Sequence, residues 1–305
     1  MKTLSFNRIT IAAFAIMFSL FLFSCQKESS LSTPAADPVT EEEAVNLSDE
    51  STQAEASFDD VEDVSATAAE EEGDAAVYGR GENNTEGLYL PTFEELRLRI
   101  GHCATVTVVP HDNTYPKTIT IDFGDGCLCA DGKFRKGAII IHLTGPIRRA
   151  GSVMTITLRN FFLNRAHIEG TKTFSNLSEN SNIKFTVQVV GGKVTFPNGR
   201  GYSYQSMKYV KQIEGGATRP CRDDVYSIEG RSKTEFNGGL TVTLDTETPL
   251  IKKVVCPWIN KGVLKIKINS RVLFLNYGAP NDGDCDNKAL LTWNNGNNQR
   301  LITLP

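Results

Sequence analysis

The chain has 305 residues, of which 32 are Lys or Arg and 36 are Asp or Glu, so its formal net charge is −4 at pH 7. This small value hides two oppositely charged parts: residues 26–87 contain 18 acidic and two basic residues, whereas residues 88–305 contain 28 basic and 18 acidic ones. The first part has too few large apolar residues to fold alone, and the second lacks the clustered basic and aromatic residues of a nucleic-acid groove, which excludes an independent N-terminal domain and argues against a nucleic-acid partner.

The N-terminus has the three parts of a lipoprotein signal peptide, which we place at residues 1–24. Lys2 and Arg8 provide positive charge, residues 9–23 form the apolar run, and a small serine precedes Cys25. The apolar run has 15 residues, fewer than the ~20 that a transmembrane helix needs. We therefore predict that Cys25 becomes the acylated first residue and that its acyl chains anchor the protein to a lipid bilayer without threading the chain through it.

The three residues after this cysteine are Gln26, Lys27 and Glu28. They resemble the short export tag of lipoproteins of the Bacteroidota. The resemblance implies a lipid-anchored protein of the outer membrane that is exposed at the cell surface. The alternative is that these residues are simply the start of a polar tether.

Residues 25–87 are predicted to form an acidic, disordered tether that begins with the lipidated cysteine. Acidic runs at 41–43 and 70–72 oppose independent folding. Residues 58–64 have apolar side chains at helical spacing, which is compatible with a short docking helix. A basic body beside an acidic tether leaves two alternatives: the tether folds back over the body, or the body binds an anionic partner such as lipopolysaccharide, an acidic glycan or extracellular DNA.

Residues 88–305 are predicted to form one β-rich body. A helical pattern occurs at 93–100, whereas β-branched and aromatic residues alternate through the rest, separated by Gly and Asn turns. This pattern predicts an all-β fold, an antiparallel meander of about 12–15 strands arranged as a sandwich or as a strongly twisted sheet. The predicted strands are 105–109, 118–123, 138–143, 154–160, 183–190, 240–244, 263–268, 272–277 and 289–293.

Six cysteines remain in this body, and an even number in an exported chain predicts disulfides. Cys256 precedes the strand at 263–268, and Cys285 follows the strand at 272–277. If these two strands pair as a hairpin, both cysteines lie at its open end. We therefore predict a disulfide between them.

An earlier hairpin is flanked in the same way by Cys103 and Cys127, which predicts a second disulfide. Cys129 is then assigned to Cys221, because cysteines only two residues apart seldom reach disulfide geometry. The alternative for Cys127 and Cys129 is a metal site, which needs further soft ligands and a reducing compartment.

Several short segments resemble a group of lipoproteins of the Bacteroidota to which no activity is assigned. The segments are 118–124 (TITIDFG), 133–137 (KFRKG), 168–171 (IEGT), 276–278 (NYG) and 285–287 (CDN). The match runs over most of residues 100–305, and the insertion at 279–282 (APND) departs from a shorter glycine turn. The resemblance implies an exported, β-rich, cysteine-stapled lipoprotein and no catalytic residue.

No catalytic motif is present, so we predict that the protein is not an enzyme. A hydrolase stays an alternative, because paired carboxylates from different strands suffice for glycoside hydrolysis. The candidate carboxylates are Asp122, Asp125, Asp223 and Asp224, which also suit turns and strand starts.

Asp282, Asp284 and Asp286 place carboxylates at alternate positions, an arrangement that a hard cation such as Ca²⁺ prefers. The match to a calcium-binding loop is incomplete, because Asn287 and Trp293 stand where glycine and glutamate belong. The alternative is a plain turn pinned by the disulfide, and no other cofactor is predicted.

Four aromatic residues, Trp258, Trp293, Tyr202 and Tyr204, are candidates for stacking against sugar rings. The alternative is that they belong to the core. With a basic body and a lipid anchor, they favour a binding module for an envelope or environmental glycan, anionic or neutral. A structural or adhesion component of the envelope is the other hypothesis, and the sequence predicts no oligomeric state.

Overall fold

The computed structural model describes most of the chain after the predicted signal peptide. The described residues are 39–78, 91–179, 183–216 and 223–304. The predicted lipid site at Cys25, the export tag and Cys221 lie outside these ranges. Within them, no helix combines the length and the apolar character that crossing a membrane requires.

The described residues contain fourteen β-strands, which cover much of the body. The first seven are β1 (Thr105–Val109), β2 (Lys117–Asp122), β3 (Cys127–Leu128), β4 (Phe134–Leu143), β5 (Val153–Leu163), β6 (Ala166–Asn176) and β7 (Lys184–Thr195). The others are β8 (Gly201–Glu214), β9 (Val225–Phe236), β10 (Thr241–Lys253), β11 (Lys261–Ile268), β12 (Arg271–Asn276), β13 (Lys288–Trp293) and β14 (Asn298–Thr303).

All strands belong to one antiparallel sheet in which each strand pairs with its neighbours along the chain. The short strand β3 is off this path and pairs only with β4, so that β2 also pairs with β4. The order runs from β1 to β14 and the sheet does not close. The predicted all-β meander is confirmed, as one open sheet and not as a sandwich of two.

One face of the sheet carries the buried side chains, and we call it the inner face. Along β8, Tyr202, Tyr204 and Val210 are buried, whereas the intervening Ser203 and Gln205 are exposed. This alternation follows from the two-residue period of a strand. Register shifts interrupt several of the long strand pairs, and such bulges bend a strand and increase its local twist.

A 38-residue helix, α1 (Glu41–Tyr78), packs against the inner face. Its first turn is stabilised by acidic side chains and by Thr40, whose hydroxyl accepts a hydrogen bond from the Glu43 N–H at 3.2 Å. Phe58 stacks on Tyr204 with ring centroids 4.8 Å apart. The buried apolar side chains of α1 that join the sheet core are Ala54, Phe58, Val61, Val64, Ala68 and Ala69.

The prediction of a disordered tether is therefore wrong for residues 41–78. The helix includes the stretch at 58–64 that the sequence marks as a docking helix, but it is five times longer. Taken alone, this segment has few large apolar side chains to bury, which is why its sequence predicts disorder. In the folded chain the sheet supplies the apolar surface and the positive charges that α1 lacks, as in the fold-back alternative.

A second helix, α2 (Glu94–Ile100), lies at the start of the body, close to the predicted helix at 93–100. Leu96 and Ile100 are buried in the same core as α1. The Glu71 carboxylate of α1 accepts hydrogen bonds from the Glu95 and Leu96 N–H groups, each at 3.0 Å. These N–H groups lack partners within the helix, so α1 caps α2.

Two predicted disulfides are present, Cys103–Cys127 and Cys256–Cys285, with Cα–Cα distances of 5.8 and 5.6 Å. The second closes the open end of the β11–β12 hairpin, as expected from the strand pairing. Cys129 forms no disulfide with any described cysteine, and its predicted partner Cys221 lies outside the described residues.

Candidate functional site

The acidic side chains of α1 form ion pairs with basic side chains of the sheet, its loops and α2. Helix α1 contains 14 Asp and Glu and no Lys or Arg, so the sheet and its loops must supply the opposite charge. The basic partners are Arg99, Lys117, Lys133, Arg135, Arg148, Lys172, Arg200, Lys208 and Lys252. Much of the positive charge of the body is therefore compensated within the molecule.

Arg135 on β4 is, with Lys117, one of two basic groups in this set whose side chain is 0% exposed. Its guanidinium donates to Asp60 of α1 at 2.7 and 3.1 Å and to Asp131 at 2.7 and 2.9 Å. Burial acts to raise the pKa of Asp131, but the hydrogen bonds and charge of Arg135 outweigh it and lower that pKa. The guanidinium thus joins the middle of α1 to the β3–β4 turn.

Lys208 and Lys172 hold the next part of α1. Lys208 lies 2.7 Å from Glu55 and 3.1 Å from Asp59. Lys172 lies 2.5 Å from Glu62 and donates to the Phe58 carbonyl at 2.9 Å. Burial alone would lower the pKa of Lys208, but the charges of Asp59 and Glu55 outweigh it and raise that pKa well above its usual value.

A cleft of about 220 Å³ lies between α1 and the inner face, and we call it the helix–sheet cleft. The side chains from α1 are mainly polar, and they include Thr52, Glu55, Asp59, Glu62, Asp63 and Glu70. The sheet and its loops supply an apolar and aromatic wall that includes Phe174, Phe185, Tyr226, Leu250, Trp258 and Tyr277. The cleft therefore places apolar and aromatic side chains opposite a row of hydrogen-bonding groups, and Lys133, Lys208 and Lys252 also line it.

The four predicted stacking residues do not form one platform. Trp258 lines the helix–sheet cleft, whereas the Trp293 indole N–H donates a hydrogen bond to Glu41 at the start of α1. Tyr202 and Tyr204 are core residues, 2% and 1% exposed, so the prediction that they are available to a sugar is wrong. They point inward because they occupy the buried positions of β8.

The predicted calcium ligands lie in an exposed turn before β13, where Asp282 and Asp286 contact different partners. Asp282 pairs with Lys261 at 3.3 Å, and Asp286 accepts hydrogen bonds from Asn281 and from the Lys288 N–H. Among the described residues, the one group of three or more potential metal donors that converges is a cysteine cluster instead.

The candidate carboxylates of a hydrolase lie in two places: Asp122 and Asp125 at the end of β2 and in the turn after it, and Asp223 and Asp224 directly before β9. Asp122 ends β2 and pairs with Arg159 at 2.9 Å, with both side chains largely exposed. Asp224 precedes β9, is fully buried, and accepts hydrogen bonds from Arg148, Gln212 and Tyr226. Burial raises the pKa of Asp224 although Arg148 opposes the shift. Asp122 and Asp224 belong to separate networks, and Asp224 helps to hold the end of β8 and the β4–β5 loop.

The converging cysteine cluster consists of Cys103, Cys127 and Cys129, whose sulfur atoms lie within 4.8 Å of one another. The first two are joined as a disulfide, and burial raises the pKa of the Cys129 thiol. A disulfide and a protonated thiol are poor metal ligands, because metals bind cysteine as the thiolate.

Sequence reasoning missed the residues that build the cleft and its ion pairs, chiefly Glu55, Asp59, Lys172 and Lys208. For Lys208, the alternation of side chains along β8 contained a signal. Lys208 shares the parity of the buried Tyr202, Tyr204 and Val210 along β8, which places a lysine on the inner face. A charge on the buried side of a strand requires a partner of opposite sign.

Comparisons with protein-family models, with curated proteins and with solved structures found no match for this chain. The resemblance to lipoproteins of the Bacteroidota therefore stays a prediction from the segments that carry it.

Proposed function

We propose that this protein is a membrane-anchored binding module that holds a glycan in the helix–sheet cleft. The observation that carries the proposal is the pairing of two unlike walls. A sugar ring has an apolar C–H face, which suits the aromatic wall with Trp258, and hydroxyl groups, which suit the carboxylates of α1. Small-ligand sites typically combine such an apolar lining with a few placed polar groups.

The charges of the interface favour a neutral glycan over an acidic one. The excess of basic residues in the body first suggests an anionic partner, but the basic groups nearest the cleft already pair with α1. An acidic ligand in the cleft would face Glu55, Asp59 and Asp63 at short range. Like charges in a partly buried site repel strongly, because water screens them poorly there.

The anchor is the second part of the proposal. We place the protein at the outer membrane, lipid-anchored through Cys25 and exposed at the cell surface. The two disulfides support an oxidising location, because such bonds persist outside the cytosol. Metabolic labelling with an alkyne fatty acid should mark the wild-type chain and not Cys25→Ser. Equal labelling of both chains would refute acylation at this residue, and no labelling of either would refute the anchor.

Glycan binding is tested on an array of neutral and acidic glycans with a soluble form of residues 26–305, which retains α1. Residues 88–305 alone would lack one wall of the cleft and would present unpaired basic groups to acidic glycans. We expect retention of neutral glycans, with no preference for acidic ones. An array on which this chain binds nothing would refute the proposed function.

A pair of tryptophan variants separates cleft binding from binding elsewhere. Trp258→Ala removes an aromatic wall of the cleft, and we expect it to weaken glycan binding about ten-fold or more, as aromatic anchors commonly do. Trp293→Ala is the matched control, because Trp293 does not line the cleft. Equal affinities of the two variants in titration calorimetry would place the glycan outside the cleft.

A further inference from the structure

We infer that the Cys129 thiol exchanges with the disulfide between Cys103 and Cys127, so that this corner of the body exists in two disulfide-bonded forms. The observation that carries the inference is the convergence of the three sulfur atoms, which lie within 4.8 Å of one another. None of the three residues lines the helix–sheet cleft. The exchange site is therefore independent of the proposed glycan binding.

The β3–β4 hairpin directs two of the cysteines to the same side. Cys127 belongs to β3, and Cys129 follows this strand directly, with its N–H donating to the Lys133 carbonyl at 2.9 Å. Leu128 between them is 71% exposed, whereas Cys129 is 5% exposed. Because side chains alternate along a strand, Cys127 and Cys129 face away from Leu128. Cys103 lies on that same side, since it is bonded to Cys127.

The exchange requires no external oxidant or reductant. Cys129 loses its proton, and its thiolate attacks the Cys103 sulfur. The bond between Cys103 and Cys127 breaks, and Cys127 leaves as a thiolate that takes up a proton. One disulfide and one thiol are present before and after the step, so electrons and protons balance. Attack on the Cys127 sulfur is disfavoured, because its product would join cysteines only two residues apart.

Both disulfides join the same two parts of the chain. Cys103 lies between α2 and β1, and its alternative partners lie in β3 and directly after it. The position of the free thiol is what changes. Cys129 is buried, whereas Cys127 is half-buried, so the exchange moves the thiol toward solvent.

The surroundings of Cys129 make the exchange slow. Burial raises the pKa of its thiol, and Arg135 of β4 acts against this shift through a hydrogen bond and its charge. Asp131 and Asp60 act to raise the same pKa. These two carboxylates also bind the Arg135 guanidinium, so its charge is partly compensated. Because only the thiolate attacks a disulfide, few chains are ready to react at any moment.

The experiment traps free thiols with N-ethylmaleimide in the native chain of residues 26–305, which lacks Cys25 and its thiol. Pepsin digestion at low pH prevents further exchange, and tandem mass spectrometry then locates the label and the disulfides. We expect label to accumulate on Cys127 over minutes to hours, in chains with a bond between Cys103 and Cys129. No label on Cys127, or a bond between Cys129 and Cys221, would overturn the inference.

Two variants and one internal control show where the label comes from. Cys129→Ser removes the attacking thiol, so labelling of Cys127 should become about ten-fold slower or more. Cys127→Ser leaves Cys103 and Cys129 as the pair, and these two should form a disulfide. The bond between Cys256 and Cys285 is the internal control, because no third cysteine in the described ranges converges on it. Both of its cysteines should stay unlabelled.

Three results from these controls would contradict the exchange. Unchanged labelling of Cys127 in Cys129→Ser would mean that Cys129 is not the attacking thiol. A folded Cys127→Ser chain without a bond between Cys103 and Cys129 would mean that the second form does not exist. Label on Cys256 or Cys285 at the rate of Cys127 would indicate general disulfide scrambling. If a variant fails to fold, as thermal unfolding would reveal, the labelled positions in the wild type decide.

Discussion

At the scale of single residues, the buried ion pairs fix the position of α1 more than they add to stability. The free energy needed to remove two charged groups from water offsets most of the attraction between them, so a buried ion pair contributes little net stability. A buried charge without its partner is strongly unfavourable, however. Arg135 and Lys117, both with 0% exposed side chains, therefore make any other register of α1 on the sheet unfavourable.

The first prediction concerns Arg135. Arg135→Leu leaves Asp60 buried with only Lys133 as a cationic partner, so we expect the free energy of unfolding in urea to fall by about 3–5 kcal/mol. The control is Arg159→Leu, which removes an exposed pair with Asp122 and should change stability by less than about 1 kcal/mol. Similar losses in the two variants would contradict the assigned role of burial.

The second prediction concerns Asp131, whose lowered pKa links its ionisation to folding. A carboxylate with a lower pKa in the folded chain contributes stability above its unfolded pKa of ~3.9 and loses it as the pH falls through the folded value. Asp131→Asn should therefore be less stable than wild type at pH 6, and the difference should shrink as the pH falls below ~3.9. Urea unfolding of both chains between pH 2 and 6 measures this stability difference. A difference that does not change with pH would contradict the link between Asp131 ionisation and folding.

At the scale of elements, a strand was predictable from the sequence when apolar and polar residues alternate regularly along it. The strands with apolar residues at every second position, such as β1, β11 and β13, lie within two residues of the predicted ranges. Five strands were not predicted from the sequence: the two-residue β3, and β6, β8, β9 and β14, which carry Ser, Gln, Lys or Arg at many positions. Their pairing in the sheet comes from neighbouring strands, information that a single segment does not contain.

The candidate site was predictable only in part, for the same reason. Trp258 was proposed as a stacking residue and does line the cleft, whereas Tyr202 and Tyr204 are buried in the core. Lys172 and Lys208 could be placed on the inner face from strand parity, once β6 and β8 are known. The carboxylates that meet these lysines could not be placed, because the contact between α1 and the sheet is not visible in the sequence of either part.

The third prediction concerns the apolar contact between α1 and the sheet. Phe58→Ala removes a ring that is 2% exposed and stacked on Tyr204, beside Gly192, so it leaves a cavity between α1 and the sheet. We expect the free energy of unfolding to fall by about 3–5 kcal/mol. The control is Leu98→Ala on α2, where the side chain is 65% exposed and the expected change is within about 0.5 kcal/mol. Equal urea midpoints for the two variants would contradict this packing.

At the scale of the whole molecule, charge and burial make the acidic segment part of the fold. The sequence suggests an acidic tether joined to an independent basic body, because each part is assessed by its own composition. In the folded chain the basic inner face is neutralised by α1, and the sheet core is completed by apolar side chains of the same helix. The boundary at residue 88 therefore lies inside one compact unit, residues 40–305.

The last prediction tests this unity by truncation. A chain of residues 39–305 keeps α1 and should unfold in a single cooperative transition with the midpoint of residues 26–305. Residues 88–305 lack the α1 carboxylates that pair with Arg135, Lys117 and Lys208 and expose the apolar inner face, so this chain should lose the cooperative transition or aggregate. Thermal unfolding followed by near-ultraviolet circular dichroism compares the three chains. A transition of residues 88–305 at the midpoint of the longer chains would mean that α1 contributes nothing to the fold, and with it the cleft would lose its polar wall.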